Sequence, residues 1–344
     1  MQADAPRDIP APTTSPEPLT RATRSGRRPT GPSLLARGAA HDPYRFYRML
    51  RERYPLSYDA PLGAWLISRY DDVTAALTDP RFTGFPHDGA PRGGPAPLGL
   101  CHGNARCLPT DRYTVVTGTV PAGLAERVER TAYVLARRIA RRPRADLVEE
   151  FCRWLPAGPG RGPDRAADGE TAAVTAAPAG DGPCLRDTAL RETALASLLA
   201  NLLDDPDLLA ALRIEPALAG RAWTESLRRD PPVQVVLRRT VAEVTLSGGT
   251  LPAKAPVACL VGAAARDPQR FAAPDVYDPF RPDQDRTLTG PPGCPAVALG
   301  RLEAELGLRA LLDAMPRLRW AEGFRPAATG LLTRGPRSLL VRPG

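Results

Sequence analysis

Apolar residues recur at helical spacing in several blocks of the chain. Tyr44, Phe46, Tyr47, Met49 and Leu50 follow Asp42–Pro43 and precede Arg51–Arg53, and this spacing predicts a first helix. Leu62–Ser68 (LGAWLIS) reads as a short strand. Asp71 or Asp72 is placed to cap a second helix that carries Val73, Ala76 and Leu77 and stops at Asp79–Pro80. Leu124, Val128, Ala132, Leu135 and Ile139 mark a long amphipathic helix that ends at Arg141–Pro143. A helix over about 185–203 puts Leu195, Leu198, Leu199 and Leu202 on one side, and two more follow over 207–213 and 217–229. Short strands fit 233–238, 241–246 and 256–261. A proline-rich meander over 267–292 leads into a last long helix with Leu299, Leu302, Leu306, Leu311 and Met315 on its apolar side. The pattern predicts a mainly α chain with small β-sheets at both ends, an α+β fold without internal repeats.

Three stretches carry no period. Residues 1–40, rich in Pro, Thr, Ser, Arg and Gly, read as a flexible N-terminal arm. Residues 84–110 read as loop, and 156–184 as a disordered Pro/Gly/Ala linker inside a single domain over 41–344.

Composition narrows the class. At 43% hydrophobic, the 344 residues support a sizeable core. No apolar run approaches the 18 or so residues a membrane span needs, so no membrane helix is expected. The first residues have no apolar h-region, so no secretory leader is expected and the setting is read as cytoplasmic. Six scattered cysteines without a CxxC pair are expected to stay reduced. The net charge of +8 suggests a nucleic-acid partner only at first sight. Lys254 is the single lysine among 46 basic residues, and arginine is spread along the chain with alanine and proline. That reads as solvated helix faces, with neither nucleic acid nor membrane as partner. The 40 prolines and 30 glycines are many for an enzyme, and they gather in the aperiodic stretches and around Cys294.

Walker, GxSxG, HExxH, EF-hand and strand–GxGxxG–helix motifs are absent, and His41, His87 and His102 have no metal-site spacing. Two features remain. Glu225-Ser-Leu-Arg228 places an acid and a base one turn apart, directly before Asp230-Pro-Pro232. As a lone observation that is a solvated pair, but a helix end packed on the following strands makes a buried ion pair plausible. Gly290-Pro-Pro-Gly-Cys294-Pro295 puts a thiol at the start of the last helix, with Pro295 at its first position. The helix dipole there favours the thiolate that a metal ligand or nucleophile needs. A small buried residue is the plainer reading of a lone cysteine.

Together these motifs resemble the bacterial cytochrome P450 family. EPALAGRAWTESLRRDPPVQVVLRRTVAEV and AAARDPQRFAAPDVYDPFRPD are similar to the family's ExxR helix, the strands after it and its meander. DPYRFYRMLRERYPLSYDAPLGAWLISRYDDVTAAL resembles its N-terminal helix and first sheet. The resemblance covers about 42–82, 121–155 and 207–342, and implies a cytochrome P450-like fold. It assigns Glu225, Arg228 and Arg281 to a structural triad, Cys294 to the axial thiolate of haem b, Gly290 to the ligand loop, and Arg238 and Arg112 to the haem propionates. Glu192-Thr193 resembles the family's distal acid–alcohol pair. Its distance to Pro206 is about one turn short, however, and the family's spacing would put Ala189 and Leu190 in those places.

The departures cluster around the haem. Thr287 and Leu288 stand where the family has Phe and Gly, Pro292 replaces its basic residue, and Leu108 replaces a histidine. About fifty residues that roof the substrate pocket in the family are missing between 155 and 185, and the linker there is a poor helix former. Three readings stay open. One is a haem-thiolate monooxygenase of specialised metabolism, acting on a small hydrophobic natural product with a ferredoxin and ferredoxin reductase. Another is a haem-free auxiliary protein that activates a deoxysugar glycosyltransferase in polyketide antibiotic biosynthesis. A decayed paralogue is the third. Cys294 at the ligand position is improbable by chance and favours the first; the lost roof, the lost propionate cations and Pro292 favour the second.

Overall fold

Asp42 and Pro43 open the first helix as the pattern predicts, with the Asp42 carboxylate accepting from Tyr44 N at 3.2 Å. The computed structural model describes residues 31–36, 38–39, 41–84, 122–156, 188–288 and 295–344. Its helices are α1 (Pro43–Arg53), α2 (Tyr70–Thr78), α3 (Ala122–Ala140), α4 (Thr188–Leu203), α5 (Pro206–Ile214), α6 (Leu218–Arg229), the short α7 (Val261–Ala264) and α8 (Pro295–Ala314). Its strands are β1 (Leu56–Asp59), β2 (Ala64–Ile67), β3 (Phe82–Gly84), β4 (Ala145–Asp146), β5 (Val235–Thr240), β6 (Val244–Leu246), β7 (Gly249–Leu251), β8 (Pro256–Leu260), β9 (Arg319–Trp320), β10 (Ala328–Thr329), β11 (Gly335–Pro336) and β12 (Leu340–Arg342).

The main sheet runs β1-β2-β8-β5-β3. Only the β2–β8 pair is parallel, with Leu66 opposite Ala258. Side chains alternate across it: Val257 and Cys259 enter one apolar cluster with Trp65 and Ile67, while Ala258 and Leu260 enter another with Ala64 and Leu66. Both faces are covered, so these strands read as unbroken apolar runs. A larger helical core joins α3, α4, α6 and α8 through Val128, Ala132, Leu198, Leu202, Trp223 and Leu311.

Several expectations need correction. The chain at 33–34, expected in the flexible arm, is anchored: Leu34 is fully buried, and Asp59 accepts from Ser33 Oγ at 2.9 Å and from Leu34 N at 2.6 Å. Neither Asp71 nor Asp72 caps α2. Its N-cap is Arg69, which makes no side-chain cap, and the distant Asp267 receives Tyr70 N at 2.9 Å. Asp72 instead holds Ser247 N at 2.9 Å and Ser247 Oγ at 2.6 Å, pinning the β6–β7 turn. The strand expected at 233–238 runs two residues later, because Val233 bridges to Thr333 before the β8 pairing begins at Val235. Residues 84–110, except Gly84, and the linker at 156–184, except Pro156, lie outside the described residues.

Candidate functional site

Helix α6 stops where Asp230 meets Pro231-Pro232, since the residue before proline leaves the helical region. Its last turn carries Glu225 and Arg228 on one side, both fully buried. Arg228 Nε and Nη2 each donate to a different Glu225 oxygen at 2.8 Å, a bidentate pair. Arg281 reaches the same carboxylate through Nε, at 3.2 and 3.1 Å. Asp278 N, a backbone donor from a third residue, adds a bond at 3.0 Å.

The meander explains why two arginines share one acid. Pro268, Pro274, Pro279 and Pro282 interrupt it, so its carbonyls have no ladder to join and still need donors. Arg228 Nη1 serves Ala265 O at 2.8 Å and Pro274 O at 2.9 Å, and its Nη2 serves Val276 O at 3.2 Å. All five of its N–H groups are thereby used. Arg281 Nη1 holds Ala272 O at 2.9 Å. The guanidinium of Arg228 also lies 5.4 Å from the Phe271 ring. Nearby, Arg266 stacks 3.4 Å from the Tyr44 ring and pairs with Asp230 at 2.7 Å and Asp275 at 3.1 Å. Burial and the Asp230 charge push the Tyr44 hydroxyl up to about 12.

Arg238 presents a different picture. It sits in β5, 3% exposed, with Gly84 and Val257 opposite it. Its Nη1 makes one long bond, 3.4 Å, to Leu237 O. Among the described residues, its Nε and Nη2 are buried with no hydrogen-bond partner. A buried guanidinium in that condition calls for an anion, so Arg238 fits a carboxylate such as a haem propionate. Beside it, burial pushes the Cys259 thiol up to about 12, and the Arg238 charge pulls the other way. Arg112, Gly290 and Cys294 lie outside the described residues. Pro295 is the first residue of α8, as expected.

Glu192 and Thr193 lie on α4. Thr193 Oγ1 donates back to Ala189 O at 2.8 Å, within its own helix. Its methyl faces β11, where a Cβ on Gly335 would collide with it. Glu192 comes within 3.8 Å of Arg153. These contacts gather Glu225, Arg228 and Arg281 into one cluster, and put Arg238 and the Glu192-Thr193 pair elsewhere. Ala189 is exposed and Leu190 half-buried against the helical core.

One buried pair went unread in the sequence. Arg191 donates to Glu303 at 2.8 Å between α4 and α8, and both side chains are almost fully buried. The signal was present: Arg191 precedes Leu195 by four residues and Leu198 by seven, so it belongs to the apolar stripe.

The sequence profile described as Cytochrome P450 matches residues 219–305, the stretch holding the Glu225 cluster and the start of α8. Against Protein DesVIII of Streptomyces venezuelae the likeness is 33% identity over 357 aligned positions, covering 90% of this chain and 88% of that one. The chain belongs to the cytochrome P450 family. Pulcherriminic acid synthase of Bacillus subtilis is 35% identical over 159 positions, covering 43% of this chain and 39% of its own. Cytochrome P450 CYP109Q5 from Chondromyces apiculatus superposes with a TM-score of 0.69 at 22% identity, over 90% of this chain and 97% of that one. The cytochrome P450 fold is therefore present, and the Glu225–Arg228–Arg281 cluster lies within the stretch that the profile matches.

Proposed function

We propose that this cytochrome P450-family chain is a non-catalytic auxiliary protein that binds and activates a deoxysugar glycosyltransferase of polyketide antibiotic biosynthesis. The observation that carries the reading is the extent of likeness: Protein DesVIII matches over 90% of this chain, whereas pulcherriminic acid synthase matches over 43%. The altered haem loop and the missing roof sequence support it. So does Thr193, whose hydroxyl is engaged by its own helix.

Arg238 favours a second reading, a haem-thiolate monooxygenase served by a ferredoxin and its reductase. Its two unpartnered nitrogens suit a haem propionate. In that case Cys294 would hold the iron, with Gly290 in the ligand loop and Arg112 as a second propionate cation. Haem would supply oxygen activation, assisted by electron density from the thiolate. Glu225, Arg228 and Arg281 act structurally in either case.

The test is expression with a haem precursor, followed by absorption spectra of the reduced protein with carbon monoxide. The expected result is no Soret band, together with higher soluble activity of the neighbouring gene's glycosyltransferase on co-expression. A red-shifted thiolate band that Cys294→Ala removes would overturn the auxiliary reading.

A further inference from the structure

Residues 31–36 sit on the domain as a short peptide sits in a receptor. The Asp59 carboxylate, 1% exposed, takes three donors, and two of them come from this segment: Ser33 Oγ at 2.9 Å and Leu34 N at 2.6 Å. The third, Leu62 N at 3.2 Å, holds the carboxylate across the turn between β1 and β2. The Leu34 side chain is fully buried in the cluster of Tyr47, Leu50, Ala64 and Leu66. Gly31 lies so close to Ser57 that a Cβ on it would stand 2.6 Å from Ser57 Oγ. The seat thus reads a short linear pattern: no side chain at 31, a hydroxyl at 33, and a leucine with its N–H at 34. Nothing in that pattern depends on which molecule supplies it, so the same segment of another copy fits equally well.

The turn that follows is what returns the segment to its own seat. Gly38 has a φ of +90°, a conformation that glycine adopts freely and a β-branched residue does not. Its carbonyl accepts from His41 N at 3.0 Å and from Asp42 N at 3.1 Å, and Ala36 O accepts from Ala39 N at 3.1 Å. A Cβ on Gly38 would meet nothing within 4 Å, so backbone conformation alone, and not space, bars a larger residue there. Drawn out, residues 37–42 would span about 20 Å and could carry the segment to a neighbouring copy. Such an exchange keeps every contact of the seat. It differs from the closed monomer only in the turn and in the entropy of association.

We propose that the seat beneath Leu34 is an interaction site for the same segment of a second copy of this chain, and that Gly38 selects between the closed monomer and an arm-exchanged dimer. In the dimer each copy lends its Ser33 and Leu34 to the other's Asp59. The proposal is independent of both functional readings.

The experiment uses the full chain and follows molar mass by light scattering over a concentration series. Gly38→Val is strained in the turn and at ease in an extended hinge, so it should dimerise about tenfold more tightly than wild type. Adding Leu34→Ala to that variant should return it to the monomer. Equal association of wild type and Gly38→Val, or a dimer that survives Leu34→Ala, overturns the proposal. A synthetic peptide of residues 31–36, Gly-Pro-Ser-Leu-Leu-Ala, tests the seat separately. It should bind the full-length Leu34→Ala variant, whose own segment is held less firmly, about tenfold more tightly than it binds wild type. A peptide with alanine at positions 33 and 34 should bind neither protein. No binding of the first peptide to Leu34→Ala, or equal binding of the two peptides, overturns the proposal even where Gly38→Val yields no soluble protein.

Discussion

Arg228 and Arg238 are ten residues apart, and both are almost wholly removed from water. At the end of α6, Arg228 spends every N–H on a carboxylate or a meander carbonyl. In the middle of β5, Arg238 keeps two nitrogens without a partner among the described residues. The first arrangement is closed. It fastens an irregular, proline-broken segment to a helix and leaves nothing for a ligand. The second is open and has its charge in reserve. The contrast sets a buried arginine whose donors are all used against one whose donors are not, within a single stretch of sequence.

Breaking the closed cluster should have the largest effect. Glu225→Ala leaves Arg228 and Arg281 buried without their anion, and urea unfolding should show a loss of about 3–5 kcal/mol, or no soluble protein at all. A loss under 1 kcal/mol would mean that the carbonyls alone neutralise the pair. At the open site the sign should reverse. Arg238→Met removes an unpaired buried charge, and the haem-free protein should gain about 1–4 kcal/mol by the same measurement. A loss there would point to a hidden anion, and a haem-loaded preparation should lose its cofactor more readily.

Cys259, beside Arg238, sharpens the comparison through pH. Its folded value near 12 lies above the ordinary 9.0, so its contribution to stability is complete below pH 9 and declines as pH rises from 9 towards 12. The stability difference between wild type and Cys259→Ala should shift over that window by at most about 1.4 kcal/mol per pH unit. A flat difference would mean that the thiol is solvated. Thr193→Val should do least. The isosteric change removes one bond to Ala189 O, and stability should move by no more than about 0.5 kcal/mol. Reduced coupling of oxygen uptake to product in a haem-loaded Thr193→Val sample would return the acid–alcohol role to this residue.

Much of the frame is legible in the residues. The i, i+3 spacing of Glu225 and Arg228 before two prolines already implies a packed helix end, and the family resemblance supplies Arg281. Periodicity locates α3, α6 and α8 to within a few residues because each presents a long apolar stripe. It is silent on β4, β9 and β12, which have two or three residues each and whose meaning lies in cross-strand register. It also misplaces the cap of α2. Two aspartates in the first turn satisfy the local rule, yet Asp267 does the work from 197 residues away. Local preference cannot reveal a donor's distant partner. Arg238 is a mixed case: the family resemblance singles it out, but that its Nε and Nη2 are buried without a partner among the described residues follows from what packs around β5.

The parallel pairing of β2 with β8 has a consequence for how the chain is made. Leu66 meets Ala258, Arg51 reaches Ala263 O at 2.7 Å, and Tyr70 waits for Asp267. At about 5–20 residues per second, a ribosome takes about 10–40 seconds to supply those partners. Through that interval the apolar faces of α1, α2 and β2 emerge with nothing to cover them. Yield in a foreign host should therefore depend on elongation rate and chaperone supply more than on the stability of the finished fold, and slower growth temperatures should favour recovery of soluble protein.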